Sequence, residues 1–378
     1  MDFKLSDEQE MLARTVARYV EREYDIASRR KLAASPLGYS PQNWASLAEL
    51  GLLSLNIPES DGGMGGGPIE TMLVMEAFGR GLVVEPFLPT AVVSAALLAR
   101  GASESTRASL FPSIAAGELK VCVGTNEPEG GFDLSHVATS ARLDGTGWRI
   151  SGRKCVVLGG DSADKFIIPA RTAAELTDRT GVTLFLVDSK APGLSARPFP
   201  TIDGMRCAEV QLKDVPAQAV IGEVNEGYPL LEWAVDRGIA ALCAEAVGAI
   251  EALLQTTAEY LKTRSQFGQP LARFQALQHR IADMFTALQQ ARAVAVLAAA
   301  EVDNPDRDER RRALATAKTM VGRAGRLVGE LAIQLHGGMG MTDEMSVGLY
   351  FKRLRCIDMT WGDSDYHLEQ YSGLMLPG

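Results

Sequence analysis

Between residues 118 and 222 the sequence changes from helical to strand-type patterning, and then it changes back. Short runs rich in β-branched and aromatic residues lie there, separated by turn signals such as Asp144-Gly145 and Pro192-Gly193. Because no long helical segment separates these runs, they predict an antiparallel sheet in the form of a sandwich or barrel. The predicted strands are 120–125, 137–143, 148–151, 165–169, 182–187 and 208–212.

Helical patterning is found on both sides of this region. Ser6 and Gln9 have the spacing of a capping box, and apolar residues then recur at helical intervals. After residue 225, long segments rich in Ala, Leu and Arg predict a four-helix bundle. The predicted helical segments are 41–53, 69–78, two short ones within 91–116, and then 228–263, 271–302, 308–335 and 343–371.

The order of these patterns predicts an α+β fold with three domains. The expected domains are an N-terminal helical domain (1–117), a middle β domain (118–223) and a C-terminal four-helix bundle (224–378). The length of 378 residues is consistent with two or three domains. The mixed charge run 306–312 is interpreted as the solvated start of a helix.

Composition excludes several functional classes. The chain has 38 Lys and Arg against 47 Asp and Glu, a net charge of −9, which argues against a general nucleic-acid binder. The longest uninterrupted apolar run, 293–300, is far shorter than the roughly 20 residues of a membrane span. Five cysteines and four histidines are scattered without metal-ligand spacing, so we expect no metal site, reduced thiols and a cytoplasmic protein.

Two glycine clusters do not predict a dinucleotide-binding βαβ unit. The clusters at 62–67 and 337–340 are flanked by helical patterns, whereas the GxGxxG motif requires a preceding strand. No Gly-Lys pair occurs in the chain, which excludes a Walker A motif.

Two C-terminal segments are more informative together than apart. The first, 264–270, reads Arg-Ser-Gln-Phe-Gly-Gln-Pro, and by itself it is typical of a helix end with Gly268 as the left-handed terminator. The second, 334–340, reads Gln-Leu-His-Gly-Gly-Met-Gly, in which glycine permits close backbone approach to a ligand. An Arg in such a place suits a phosphate group.

In this order, the two segments resemble the acyl-CoA dehydrogenase family. The segment 58–65, with the pattern Pro-Glu-x-x-Gly-Gly-x-Gly, and the Glu127-Pro128 pair fit the same family, as does the helix–β–helix order over the whole chain. The resemblance implies an FAD enzyme that oxidises an acyl-CoA thioester to its 2-enoyl form. A carboxylate removes the α-proton in such enzymes, and the β-hydrogen leaves as hydride.

The resemblance also implies cofactor-binding positions. Six of them reach the ADP part of a flavin bound mainly by a neighbouring subunit: Arg264, Phe267, Gln275, Gln334, Gly337 and Gly338. Asn126 stands where the family usually has a flavin-contacting Thr, and its amide can still form hydrogen bonds.

Both positions at which the family carries its catalytic Glu hold other residues here. Most members have Tyr-Glu-Gly-Thr near the C-terminus, where this chain has Trp361 in place of the Glu. A minority use a Glu in an Asp-Arg-Glu-Arg segment, where this chain has Gly238. Asp363 is a weak alternative candidate, because a capping role at a helix start is the simpler interpretation.

The flavin wall departs from the family as well. The usual Lys-x-Trp-Ile-Thr-Asn is Lys154-Cys155-Val156-Val157-Leu158-Gly159 here. Val156 lacks the ring of the Trp, and Leu158 cannot donate the hydrogen bond of the Thr. The residues that serve a neighbour's flavin are therefore retained, whereas those that build this chain's own flavin and base site are altered.

The contrast between the retained and the altered residues favours one interpretation over two others. The chain resembles the small, base-lacking subunits of heteromeric bacterial acyl-CoA dehydrogenases, of the pimeloyl-CoA dehydrogenase small-subunit type. That implies a mixed tetramer with a second dehydrogenase-like chain that supplies the Glu, an acyl-CoA substrate and an electron-transfer flavoprotein as acceptor. The alternatives are a self-sufficient homo-oligomer with a relocated base such as Asp363, and a non-catalytic scaffold or oxygen-using flavin enzyme.

Four further residues are assigned structural interpretations or left open. His336 lies within the Gln-x-His-Gly-Gly turn and is predicted to pack or to bond to the backbone. Arg353 and Arg355 are predicted to form ion pairs, and the role of His367 is open.

Overall fold

The computed structural model describes residues 4–145 and 147–375. Within these residues the contacts group the chain into two compact units. The first unit contains the N-terminal segment up to Arg30, the segment Pro68–Val83 and the chain from Ile239 onward. The second unit contains Lys31–Gly67 and Val84–Gly238.

The helices of the described chain follow the predicted order. They are α1 (Asp7–Glu23), α2 (Ile26–Ala34), α3 (Pro41–Glu49), α4 (Pro68–Gly81), α5 (Ala95–Gly101), α6 (Glu104–Ala115), α7 (Gly227–Thr263), α8 (Gln275–Glu301), α9 (Arg307–His336), α10 (Val347–Met359) and α11 (Ser364–Met375). A π-helical segment, Leu88–Ser94, precedes α5.

Local signals start several of these helices as predicted. Ser6 and Gln9 form a reciprocal capping box at the start of α1. The Asp306 side chain accepts the backbone N–H groups of Asp308 and Glu309, so the charge run is the start of α9, as expected. In the first unit, α9 packs against α8, α10 and α11 and forms the centre of the C-terminal helices.

The second unit contains an eight-stranded sheet. Its strands are β1 (Val121–Val123), β2 (Ser140–Asp144), β3 (Gly147–Leu158), β4 (Lys165–Arg171), β5 (Val182–Asp188), β6 (Leu194–Pro200), β7 (Arg206–Pro216) and β8 (Ala219–Ile221). Their order is β6-β7-β3-β2-β4-β5-β8, with β1 beside β4. Apolar side chains such as Phe166, Phe185 and Val210 form its buried core.

The structure differs from the predicted sheet in two respects. Most pairs are antiparallel, as predicted, but β1 pairs with β4 in parallel and β2 meets β4 in parallel at Ser140 and Arg171. Two strands that are neighbours in the sheet can run parallel when other elements separate them along the chain. Two strands were missed, β6 and β8, because β6 lies exposed at an edge and β8 has only three residues.

Two predictions for the C-terminal region also differ from the structure. The predicted segment 343–371 is two helices, because Trp361 and Gly362 both adopt positive φ and break the chain between α10 and α11. Gly268 does not terminate α7, which ends at Thr263. Instead, Phe267 and Gly268, both at positive φ, form the two-residue turn of a hairpin between β9 (Ser265–Gln266) and β10 (Gln269–Pro270).

Helix α7 (Gly227–Thr263) matches the predicted segment 228–263 to within one residue, and it contains a long apolar stretch. By length and composition it could cross a membrane, although the sequence predicted no such segment. In the structure 83% of its most apolar 18-residue window is buried within the protein, as in the core helix of a globular domain.

Two glycines allow the backbones of α4 and α7 to touch. A Cβ at Gly79 would collide with the carbonyl oxygen of Glu245, and a Cβ at Gly248 would collide with that of Glu76. Neither obstacle is a side chain that can rotate away, so the two helices can approach this closely only with glycine at both positions.

Gly248→Ala should therefore destabilise the protein by about 1–3 kcal/mol, because the added methyl group forces the two backbones apart. Chemical denaturation monitored by circular dichroism measures the change. The matched control is Gly348→Ala in α10, where a Cβ meets no atom within 4 Å. Equal stability of the two variants would show that the close contact is not required.

Candidate functional site

Most of the predicted cofactor residues of the C-terminal region line one cleft in the first unit. Its volume is about 640 Å³. Arg264, Gln334, Gly337 and Gly338 line it together. These residues come from the end of α7 and the end of α9, so the two motifs that were weak separately meet at one site.

Arg264 presents an unpaired positive charge at this cleft. Its side chain is exposed and forms no ion pair or hydrogen bond with any residue that the structure describes. Arg280, which also lines the cleft, has a carboxylate at 3.7 Å, on Asp283. A free guanidinium with five donors is suited to a pyrophosphate.

The glycine turn provides the open side of the cleft. Gly337 has a φ of +58°, and neither it nor Gly338 has any atom within 4 Å of the place where a Cβ would stand. A ligand can therefore approach the backbone directly at these two residues. Together with the unpaired Arg264, this fits the phosphate-bearing half of a dinucleotide.

His336 performs the packing role predicted for it. Its Nδ1 lies 2.8 Å from the carbonyl oxygen of Ala332, and its ring stacks on Tyr260 at a centroid distance of 4.3 Å. Burial lowers the pKa of His336 below its ordinary value, so the ring is neutral near pH 7. Its Nε2 is buried without a hydrogen-bond partner among the described residues.

Phe267 and Gln275 do not line the cleft. Phe267 is 91% exposed at the tip of the β9–β10 hairpin, with its ring edge against Phe274. Gln275 is exposed at the first position of α8. Sequence reasoning missed Tyr260 and Arg280, although the position of Tyr260 one helical turn before Arg264 was a usable signal.

Asn126 lies in the second unit, beside the altered flavin-wall strand. Its carbonyl oxygen accepts the Cys155 N–H at 2.9 Å, and its Oδ1 accepts the Thr125 hydroxyl at 2.9 Å. The amide nitrogen of Asn126 bonds to no described residue, which leaves a donor available to a ligand.

The flavin-wall strand contains a strained bulge at Val156. The pairing of β3 with β7 shifts between Lys154 and Val157, which inserts an extra residue into β3. Val156 adopts a φ of +49°, a conformation that β-branched residues rarely tolerate, and it is 42% exposed. Such strain of about 1–3 kcal/mol persists only where the surroundings enforce it.

Val156→Gly should therefore raise the free energy of unfolding by about 1 kcal/mol, because glycine adopts positive φ without a steric penalty. Denaturant titration measures this change. The control is Val224→Gly, a valine that is 41% exposed and not at positive φ. Glycine should destabilise there, and the same sign at both positions would contradict the strain at Val156.

The two positions of the family's catalytic Glu are both buried and lack a carboxylate. Gly238 lies inside α7. Trp361 is 8% exposed, at a φ of +56° in the turn between α10 and α11. Asp363 caps α11 by accepting the Tyr366 N–H at 2.9 Å, as the simpler interpretation predicted.

A buried lysine fixes the backbone around Trp361. The Lys318 ammonium group donates hydrogen bonds to the carbonyl oxygens of Ile357, Asp358 and Gly362 at 2.6, 2.7 and 2.9 Å. Burial lowers the pKa of Lys318 to about 8, against the opposing effect of Cys243 and the nearby carboxylates. The ammonium thus uses all three of its donors to hold the end of α10.

His367 holds the same turn from α11. Its Nε2 donates to the carbonyl oxygen of Trp361 at 3.0 Å, which fixes the neutral tautomer with the proton on Nε2. Burial, with repulsion from Lys318 and Arg311, lowers the pKa of His367 to about 3. The open role of His367 is therefore structural within the first unit.

This pKa predicts a loss of stability in acid. The ring must be neutral in the folded protein, whereas the unfolded chain takes up a proton near pH 6.5, so stability falls as pH drops from 6.5 toward 3. His367→Gln removes the linkage. The difference in unfolding free energy between the two proteins should shrink by about 2–3 kcal/mol from pH 7 to pH 4.5.

Denaturation at several pH values measures that difference. His279→Gln, at an exposed position of α8, is the matched control. A constant difference between the wild type and His367→Gln across this range would show that His367 is not held neutral.

The predicted ion pairs of α10 are present in the first unit. Arg353 forms a buried two-pronged pair with Glu245 at 2.5 and 2.6 Å, and Arg355 pairs with Asp358 at 3.1 Å. Among the described residues no group of three or more His, Cys, Asp or Glu side chains could hold a metal ion.

Three family models match the chain in sequence. They are the N-terminal domain of acyl-CoA dehydrogenase over residues 6–118, the middle domain over 122–215 and the C-terminal domain over 225–373. A curated relative, probable acyl-CoA dehydrogenase YngJ of Bacillus subtilis (strain 168), is 30% identical over 373 residues and covers 97% of each chain.

Two solved structures are similar over nearly the whole length. A chain of the ChsE4-ChsE5 complex from Mycobacterium tuberculosis is 25% identical, with a TM-score of 0.89 and full coverage of both chains. A chain of a variant of the Tcur3481-Tcur3483 steroid ACAD is 29% identical, with a TM-score of 0.88 and 98% coverage of both.

Proposed function

Because the chain belongs to the acyl-CoA dehydrogenase family, whose members are FAD-dependent oxidoreductases, we propose that it acts as one subunit of a two-chain dehydrogenase. It takes part in the α,β-dehydrogenation of an acyl-CoA thioester, and a second dehydrogenase-like chain supplies the catalytic Glu. The assembly is a cytoplasmic mixed tetramer that passes its electrons to an electron-transfer flavoprotein.

The observation that carries this proposal is the residue at position 361. Removing a proton next to a thioester needs a base, and the indole of Trp361 has a donor but no basic lone pair. Lys318 and His367 nevertheless hold the backbone of this turn through hydrogen bonds to its carbonyl oxygens. The backbone of the turn is fixed by hydrogen bonds, but the Trp361 side chain cannot remove the proton.

The cleft of the first unit supports a role for this chain in binding the cofactor. The exposed, unpaired Arg264 and the open backbone at Gly337 and Gly338 suit the diphosphate of FAD, with Phe267 at the hairpin tip free to contact the same cofactor. These residues bind and orient the cofactor. FAD, when bound, accepts the hydride equivalent from the acyl group.

Two solved relatives support a partner chain. The ChsE4-ChsE5 complex and the Tcur3481-Tcur3483 protein are both described as pairs of chains, and each resembles this chain over at least 98% of its length. We infer from this likeness that the second subunit has a similar length and carries Glu at one of the two base positions.

The test compares the chain alone with the chain co-expressed with a dehydrogenase-like partner that carries the Glu. Alone, it should show little FAD, because the residues that build its own flavin site are altered. It should also show no acyl-CoA oxidation, because it has no base at either position. The co-purified pair should form a mixed tetramer with FAD and dehydrogenase activity. Absorbance of the released flavin, native mass and an electron-acceptor assay measure these properties.

Trp361→Glu tests the same proposal within one chain. It should restore little activity without the partner, because Val156 and Leu158 still replace the aromatic ring and hydroxyl of the flavin wall. Full turnover by this variant alone would contradict the need for a partner.

A self-sufficient enzyme that uses Asp363 is the second candidate. The half-buried carboxylate of Asp363 is engaged as the cap of α11, which argues against a base at that position. Activity of the chain alone that is lost in Asp363→Asn would establish this alternative. A flavin enzyme with oxygen chemistry would instead show fast reoxidation of its reduced flavin in air, and a scaffold would show no flavin in any assembly.

A further inference from the structure

A buried ion pair lies directly behind the flavin-wall segments of the second unit. Lys154 Nζ and Glu127 Oε1 are 2.6 Å apart, and both side chains are almost completely shielded from water. The Glu127 carboxylate also accepts the backbone N–H groups of Ala138 and Thr139 at 2.6 and 3.0 Å. The anion is thus bound by three donors, which compensates its burial.

The folded protein favours the charged form of the Glu127 carboxylate. Burial raises the pKa of Glu127, but the neighbouring Lys154 and the bonds from Thr139 outweigh it and leave that pKa below its ordinary value. Burial lowers the pKa of Lys154, and the Glu127 charge opposes that shift. Removing one partner would leave an uncompensated buried charge.

The two charged residues belong to the two segments that form the wall. Glu127 follows Asn126, and Lys154 lies two residues before the strained Val156. The backbones of the segments meet in front of the pair, where the Cys155 N–H donates to the Asn126 carbonyl oxygen at 2.9 Å. The ion pair therefore cross-links the Asn126 loop to the Val156 bulge.

Arg171 anchors the strand that supports Glu127. Its backbone N–H donates to the Thr139 carbonyl oxygen at 2.7 Å. Its guanidinium donates to four further carbonyl oxygens at 2.7–2.9 Å, those of Ser135, Leu176, Asp178 and Thr180. The donors that hold the Glu127 carboxylate are thereby fixed in turn.

We propose that Glu127 and Lys154 are positioning residues that hold the Asn126 amide and the Val156 bulge in one backbone geometry for a planar flavin ring. This inference rests on the proposed FAD-dependent function. It assigns this chain a preformed ring-binding wall of its own, although the aromatic and hydroxyl side chains of that wall have been replaced.

Two observations point to a ligand at this wall. Val156 is held at a strained positive φ, and its side chain lies partly exposed at the bulge. The Asn126 amide nitrogen has no partner among the described residues, although its own carbonyl groups are both engaged. An enforced bulge beside a free donor is the arrangement of a preorganised polar site.

The experiment uses the FAD-binding assembly with the double variant Glu127→Gln/Lys154→Met. Neutral residues of similar volume avoid an unpaired buried charge, so the variant should fold with a melting temperature within about 5 °C of the wild type. The dissociation constant of FAD should rise on the order of tenfold or more, since the wall loses its fixed geometry. Amide hydrogen exchange at Cys155 should become faster.

The matched control neutralises an exposed ion pair on the same sheet. Arg142 and Asp214 are 2.8 Å apart, and both are more than half exposed, so Arg142→Gln/Asp214→Asn should leave FAD affinity unchanged. Should the double variant fail to fold, Glu127→Asp replaces it. That variant keeps the charge but withdraws the carboxylate by one methylene, and the same loss of affinity is expected.

The outcomes separate this inference from the function on which it rests. An assembly with wild-type FAD affinity and unchanged Cys155 exchange in the double variant would overturn the positioning role and leave the dehydrogenase function intact. An assembly that contains no FAD at all would overturn both.

Discussion

Two lysine side chains, Lys154 and Lys318, are buried. The backbone of the Val156 bulge and of the Trp361 turn depends on the groups that bind each ammonium group. A buried charge is tolerated only when hydrogen bonds or an opposite charge replace its hydration. Lys154 is satisfied by the Glu127 carboxylate, and Lys318 by three backbone carbonyl oxygens around the turn that carries Trp361. A residue at positive φ lies beside each of these contacts, Val156 near Lys154 and Trp361 near the carbonyl oxygens that Lys318 binds.

The backbone is therefore held in place at the positions where the side chains differ from those of other family members. A base and a flavin-stacking ring are absent at positions 361 and 156, yet the turn and the bulge that carry these positions are held by buried polar contacts. The cleft around Arg264 shows the opposite case, in which a side chain suited to a diphosphate is present and has no ion-pair partner among the residues that the structure describes. Such a division suits a chain that completes a site together with another subunit.

Local rules predicted much of this fold. The capping box at Ser6, the helix start at Asp306 and the cap at Asp363 depend on residues three or fewer positions away, and all three were readable. The strand β6 was not, because an exposed edge strand with prolines lacks the alternation that marks a strand. The break at Trp361 was missed for a related reason, since a tryptophan gives no local signal for positive φ.

The sequence by itself determined the order of helical and strand regions, the two C-terminal motifs and the absence of Glu at 238 and 361. These follow from residue type and short-range spacing, which the chain carries in any conformation. Only the tertiary structure decided that Lys318 holds the turn at 357–362, that Glu127 and Lys154 join the two wall segments, and that Arg264 and Gly337 face one cleft. Such contacts join residues tens of positions apart, and their energies arise only when folding removes the water that would otherwise satisfy the same groups.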